Sequence, residues 1–258
     1  MWIVMAGVIA AAAPGFAAGR SPIPRETPDD PPRLQATQQT SPPAHPQVGS
    51  FTSVQVNVAA NGANIVNDAA NEPSIAVDPT NPNRIAIGWR QFDSIASNFR
   101  QAGYGWSSDG GHTWHFPGVL TPRTLRSDPV LNFSANGTFY YSSLTGDFFT
   151  WMFVSADRGA TWSGPFSSYG GDKQWIQVDR TGGMGHGHVY QAWSTAAGCC
   201  GNNIFNRSTD GGFNFSVPNT IPLTPIWGTM DVTSDGTLWL AGVDPNNFAR
   251  FIVARSTG

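Results

Sequence analysis

One eight-residue pattern occurs three times along the chain, and it constrains the fold more than any other feature. The copies are Ser107-Ser108-Asp109-Gly110-Gly111-His112-Thr113-Trp114, Ser155-Ala156-Asp157-Arg158-Gly159-Ala160-Thr161-Trp162 and Ser208-Thr209-Asp210-Gly211-Gly212-Phe213-Asn214-Phe215. Their aspartates are 48 and then 53 residues apart. A period near fifty marks a repeat whose unit buries its faces only against its neighbours. The ending Ala254-Arg255-Ser256-Thr257-Gly258 matches Asn206-Arg207-Ser208-Thr209-Asp210 up to the aspartate. The reading therefore expects an incomplete ring of about four blades, its missing blades supplied by absent C-terminal sequence.

Each unit repeats one order of short strands and tight turns. The expected first strands are 74–78, 130–133, 175–179 and 228–232, and the second strands are 85–90, 139–143, 189–193 and 238–241. Third strands, at 100–107, 149–155, 204–208 and 251–256, run into the repeated pattern. Asn136-Gly137 and Asp235-Gly236 favour the positive φ that suits a hairpin. Charged residues make up 12% of the chain, against about a quarter in ordinary domains. With 29 Gly and 20 Pro, that suits strands and turns better than helices. The expected fold is all-β, a β-propeller of four-stranded blades. A β-sandwich gives no reason for an aromatic-ended turn every fifty residues.

Three regions follow. Residues 1–19 read as a signal peptide, an apolar run ending in small residues, so the protein is expected to be secreted and not transmembrane after cleavage. Residues 20–50 read as a Pro-rich disordered linker. Residues 51–258 read as the partial propeller. The net charge is −3, Lys173 is the one lysine, and the arginines form no stripe, which excludes nucleic acid as a partner. Adjacent Cys199 and Cys200 are either free thiols or a vicinal disulfide.

Within the pattern the residue types explain one another. A short Asp side chain accepts hydrogen bonds from turn N–H groups. Glycine permits left-handed backbone. Ser and Thr tie the strand ends, and the aromatic fills space between sheets. Ser107, Asp109, Gly111, Thr113 and Trp114 are therefore read as structural. So are Ser155, Asp157, Gly159, Thr161 and Trp162, and Ser208, Asp210, Gly212 and Phe215. Ser-x-Asp-x-Gly-x-Thr-Trp resembles the Asp-box, or BNR repeat, of the sialidase superfamily, with Asn214 and Phe215 departing in the third copy. The resemblance covers about residues 51–258 and implies a sialidase-like propeller whose Asp-boxes lie away from the active site.

That family implies an arginine clamp, a Tyr/Glu nucleophile pair and an acid/base aspartate, acting as an exo-acting glycoside hydrolase. Asn71 stands where the first clamp arginine is expected, ahead of Glu72-Pro73. No glutamate follows residue 72, so the nucleophile pair cannot be placed. Asp93, behind the second strand, is the candidate acid. Glu72, Asp128 and Asp172 lead into first strands at one phase of the repeat and form a second candidate catalytic set. Arg90, Arg126, Lys173 and Trp175 are candidate substrate-binding residues, beside Arg123 and Trp89. Converging acids are also the donor set for Ca²⁺, although no cofactor and no metal site is assigned. His186 and His188 lack a third ligand. The expected partners are glycans or glycoproteins. A non-catalytic glycan- or protein-binding propeller is the alternative function.

Overall fold

The computed structural model describes residues 2–8, 39–44 and 46–256. Nineteen strands are present among them. The N-terminal stretch gives β1 (Trp2–Val8), β2 (Thr40–Ser41), β3 (Gln47–Val48), β4 (Phe51–Thr52) and β5 (Asn64–Ile65). A four-stranded sheet follows, of β6 (Ala69–Val77), β7 (Ile85–Phe92), β8 (Arg100–Ser107) and β9 (His115–Leu120). The next sheet has β10 (Ser127–Phe133), β11 (Phe139–Leu144), β12 (Thr150–Ser155) and β13 (Ser163–Ser167). A three-stranded sheet holds β14 (Trp175–Val178), β15 (Val189–Ala192) and β16 (Phe205–Ser208). In the last, β17 (Ile226–Val232), β18 (Leu238–Asp244) and β19 (Asn247–Ser256) are joined at the β19 edge by β1.

These are propeller-like antiparallel sheets in which strands pair with their sequence neighbours, apart from β1 with β19 and β2 with β5. The recorded strand pairings close no ring among the described residues. Two sheets depart from the expected four-strand unit. After β16 the chain makes one isolated bridge, Phe205 to Asn219, where a fourth strand was expected. Pro218 precedes that bridge and cannot donate to a ladder. In the last sheet the fourth position is taken by β1, from the run read as a leader. Of the segment read as a linker, Thr40–Ser41 pairs with β5 and Gln47–Val48 with β4; residues 9–38 lie outside the described ones.

Contacts divide the chain into two compact units. The N-terminal unit holds β6 to β11 and most of β12 and β13. Its core sets Ala76, Ala86 and Ala102 against Leu131, Phe139, Tyr141 and Phe153. Small side chains on one sheet thus receive large ones from the next. Gly88 belongs to this fit, because a Cβ there would lie 2.4 Å from the Tyr141 ring. The C-terminal unit holds β14 to β19 and β1. Its core joins Tyr190, Trp193, Ile204 and Phe205 to Met230, Leu238 and Leu240.

Each Asp-box aspartate takes side-chain and backbone hydrogen bonds from its own turn. Asp157 accepts from Ser155 Oγ (2.8 Å), Thr161 N (2.8 Å) and Thr161 Oγ1 (2.6 Å). Asp109 has the same partners in Ser107 and Thr113. In the third box the Asn214 side-chain amide donates to Asp210 at 2.7 Å in place of the Thr hydroxyl. That substitution keeps a side-chain donor to the aspartate, an amide in place of a hydroxyl. Gly111, Gly159 and Gly212 have φ of +87°, +90° and +88°, a region that penalises a Cβ.

Candidate functional site

The Asp-boxes and the predicted site residues occupy opposite ends of the strands. In the N-terminal unit, β8 runs from Arg100 to its box at Ser107. The end away from the box gathers the finish of β7 and the starts of β8 and β10. It carries Glu72, Arg90, Asp93, Arg126 and Asp128. Asp172, Lys173 and Trp175 hold the corresponding end of β14 in the C-terminal unit.

A recurrent backbone feature shapes this end. Glu72, Asp128, Lys173 and Trp227 have φ of +50°, +49°, +53° and +51°. Three of them sit where pairing with the next strand shifts register, between Asn71 and Ser74, Ser127 and Val130, and Ile226 and Thr229. Non-glycine residues in this region carry strain of about 1–3 kcal/mol each. The phase is therefore Glu72, Asp128, Lys173, Trp227. Asp172 is one residue out of phase with the two acids it was grouped with. It is buried, and its backbone N–H donates to Ala197 O at 2.6 Å.

The charged groups of the N-terminal unit are held differently. Arg90 donates from Nε to Asn71 Oδ1 (2.8 Å) and pairs with Glu72 Oε1 (3.0 Å). The residue at the expected clamp position thus orients an arginine from the neighbouring strand. Asp128 is buried and accepts from Ser127 Oγ at 2.8 Å. Asp93 accepts from Gln101 Nε2 (3.4 Å), and Gln101 Oε1 accepts from Arg123 N (2.8 Å). Burial pushes the Asp93 carboxyl above its ordinary value, and the Gln101 bond offsets this only in part.

Arg126 is 3% exposed. Its Nε donates to Thr121 Oγ1 (2.6 Å), Nη1 donates to Ser143 Oγ (3.0 Å), and the guanidinium lies 4.9 Å from the Phe153 ring centre. No carboxylate pairs with it among the described residues. Burial lowers its pKa to about 10, so it stays cationic at neutral pH. Burying an ion without a counter-ion costs several kcal/mol, and this fold retains one.

Sequence reasoning missed Asp68. Ala69 pairs with Phe92, which sets Asp68 opposite Asp93 at the end of the β6–β7 ladder. Asp68 accepts from Gln91 Nε2 (3.1 Å) and Asn57 Nδ2 (3.3 Å), and burial raises its carboxyl too. Two carboxyls that hold protons more readily than usual therefore flank one ladder end. The signal was present in the sequence, as an aspartate leading the first strand, but it lies ahead of the repeat that organised the reading.

In the C-terminal unit Trp175 and Trp227 are 38% and 41% exposed, and Trp227 lies 5.4 Å from Phe248. Cys199 and Cys200 are joined as a vicinal disulfide. At the Asp-box end, a cavity of about 1120 Å³ is lined by His188, Phe205, Arg207, Leu238 and Arg255 among others. The His186 ring contacts Thr181 O in its own turn. Among the described residues no three His, Cys, Asp or Glu side chains gather so as to hold a metal ion. Glu72, Asp128 and Asp172 do not form the Ca²⁺ donor set considered from sequence.

No protein-family profile and no curated protein matches the chain. Among solved structures it is similar to Trypanosoma rangeli sialidase in complex with the inhibitor DANA. That match has 12% identity and a TM-score of 0.52 over 73% of this chain and 33% of that one. A mutant of the same sialidase displaying trans-sialidase activity gives 11% identity and a TM-score of 0.50, over 72% of this chain and 32% of that one. A protein of unknown function from Dyadobacter fermentans gives 14% identity and a TM-score of 0.48, over 74% and 69%. The chain spans about a third of the sialidase's length. At these identities the likeness to the sialidase shows the fold alone.

Proposed function

We propose that this chain acts on glycans carrying an anionic group, at the end of the N-terminal unit away from its Asp-boxes. The buried Arg126 guanidinium carries the reading, as a cation without a carboxylate partner among the described residues. A sugar carboxylate or sulfate supplies that counter-charge. Asp93 then donates a proton to the glycosidic oxygen, for which a raised carboxyl pKa is the physical requirement. Asp68 is the second carboxyl, and Arg90 fixes Glu72 beside them. The sialidase-like fold supports a sugar substrate by analogy alone.

The test is turnover of sialosides and other aryl glycosides by the chain, with Asp93→Asn and Arg126→Lys as variants. Asp93→Asn is expected to lower turnover at least about a hundredfold. Because the acid works protonated, activity should fall as pH rises through the elevated Asp93 value. Unchanged turnover in Asp93→Asn would remove Asp93 from the chemistry. A second reading is glycan binding without cleavage, favoured by Asn71 at the clamp position and by the exposed Trp175 and Trp227. It predicts saturable binding of the same sugars with no turnover in any form of the protein.

A further inference from the structure

The connection between β15 and β16 carries the chain's two cysteines, joined to each other. Val189 pairs with Ser208 as Ile85 pairs with Ser107. Counted from those pairs, Trp193 takes the place of Trp89, and Ala197 that of Asp93. The disulfide therefore lies in a connection at the end away from the Asp-boxes. Trp175 opens β14 at that same end of the C-terminal unit.

The connection is bonded to the backbone that leads into β14. Asp172 N donates to Ala197 O (2.6 Å), Cys199 N donates to Gly170 O (3.0 Å), and Ser194 N donates to Asp172 O (2.9 Å). Gly171 and Gly198 form a bridge between the two segments. The approach leaves no room for a side chain at either glycine. A Cβ on Gly171 would lie 2.5 Å from Ala197 O and 2.6 Å from the Trp193 indole, and one on Gly198 would lie 2.5 Å from Gly171 Cα. Asp172 leads directly to the left-handed Lys173 and then to Trp175, 38% exposed. Cys199 packs against the core that holds Trp193, while Cys200 is exposed and left-handed, with φ of +73°. One half of the disulfide is thus anchored and the other faces solvent. Exposed disulfides are the labile ones in exchange with thiols.

We propose that Cys199–Cys200 is a reversible redox site whose oxidised form clamps the segment from Gly170 to Trp175. The reductant is a dithiol. Its first thiolate attacks the exposed Cys200 sulfur, the bond between the cysteines breaks, and Cys199 leaves as a thiol. Its second thiolate then closes the reductant's own disulfide and releases Cys200 as a thiol. Two electrons and two protons pass in all from the dithiol to the cysteines. With the bond open, Cys200 is free to leave a conformation that non-glycine residues disfavour. The connection then loosens its hold on Asp172, and the order of Lys173 and Trp175 follows. The inference is independent of the glycan-cleavage reading, because neither cysteine belongs to the proposed Arg126 and Asp93 site.

Thiol titration and amide hydrogen exchange of the folded chain, before and after dithiothreitol, test this. Reduction is expected to turn both cysteines into titratable thiols. The amides of Asp172 and Cys199 should then exchange at least about tenfold faster, while those of β18 keep their protection. The Trp175 indole N–H resonance, assigned by its loss in Trp175→Phe, should shift with the redox state. A double variant, Cys199→Ser with Cys200→Ser, should exchange like the reduced chain and ignore dithiothreitol. A folded chain that releases no thiols would overturn the proposal. So would Asp172 and Cys199 amides, or a Trp175 signal, that ignore reduction. Loss of protection across β18 on reduction would overturn it equally, since the bond would then be a staple of the whole unit.

Discussion

The groove between adjacent sheets is filled at the Asp-box end of the N-terminal unit and open in the C-terminal unit. In the first, the Trp162 indole stands edge-on to Tyr104 (6.2 Å) and Tyr141 (5.7 Å). In the second, Phe205 holds the place of Tyr104, five residues before a box aspartate. Phe205 and Leu238 line the cavity of about 1120 Å³, and no indole lies among its lining residues. The box turns themselves are alike in both units, with Ser-to-Asp bonds of 2.8 and 2.7 Å. The Asp network thus builds the turn, and the aromatic separately locks a turn to the next sheet.

Emptying the filled groove should have the largest effect. Trp162→Ala is expected to cost about 3 kcal/mol in urea unfolding, from lost burial and the space left behind. A loss below about 1 kcal/mol would break the comparison. A smaller effect is expected from the turn. Burial pushes the Asp157 carboxyl up, but hydrogen bonds from the Thr161 side chain and backbone and from Ser155 outweigh it and hold it below its ordinary value. Asp157→Asn should cost about 1 kcal/mol at neutral pH, because the group is largely exposed. A depressed carboxyl stabilises above its unfolded pKa and stops doing so as pH falls through the folded value. The gap between wild type and variant should therefore narrow below about pH 4. An unchanged gap in acid would contradict the assignment.

The smallest effect sharpens the picture of the open groove. Burial first, and then the Arg207 guanidinium, hold the His188 imidazole below its ordinary pKa. Arg207→Gln should raise that value modestly without bringing it to normal, as read by NMR titration. No movement would mean that Arg207 does not act on the cavity.

The strands and boxes were legible because alternation, Asn-Gly and Asp-Gly turns and the repeated octet are local signals. Arg100–Ser107 came out at its observed bounds. The left-handed residues at Glu72, Asp128, Lys173 and Trp227 were not legible, since none is glycine and three of them mark register shifts that only the strand pairing reveals. The missing fourth strand after β16 was hidden in the same way, because the octet there is nearly intact while Pro218 limits the ladder behind it. At the site, Asp93 could be proposed from its place behind a strand. Arg126 gained meaning only from burial, which sequence does not report, and Asp68 only from its partner across the ladder.

The aspartates divide into those consumed by turns and those left for chemistry. Measuring the unfolding midpoint and glycoside turnover of Asp157→Asn and Asp93→Asn side by side tests that division most directly. Asp157→Asn should unfold earlier while each folded molecule keeps its turnover, and Asp93→Asn should keep the wild-type midpoint and lose turnover. The reverse pattern, with the box variant inactive and the Asp93 variant active but unstable, would contradict it.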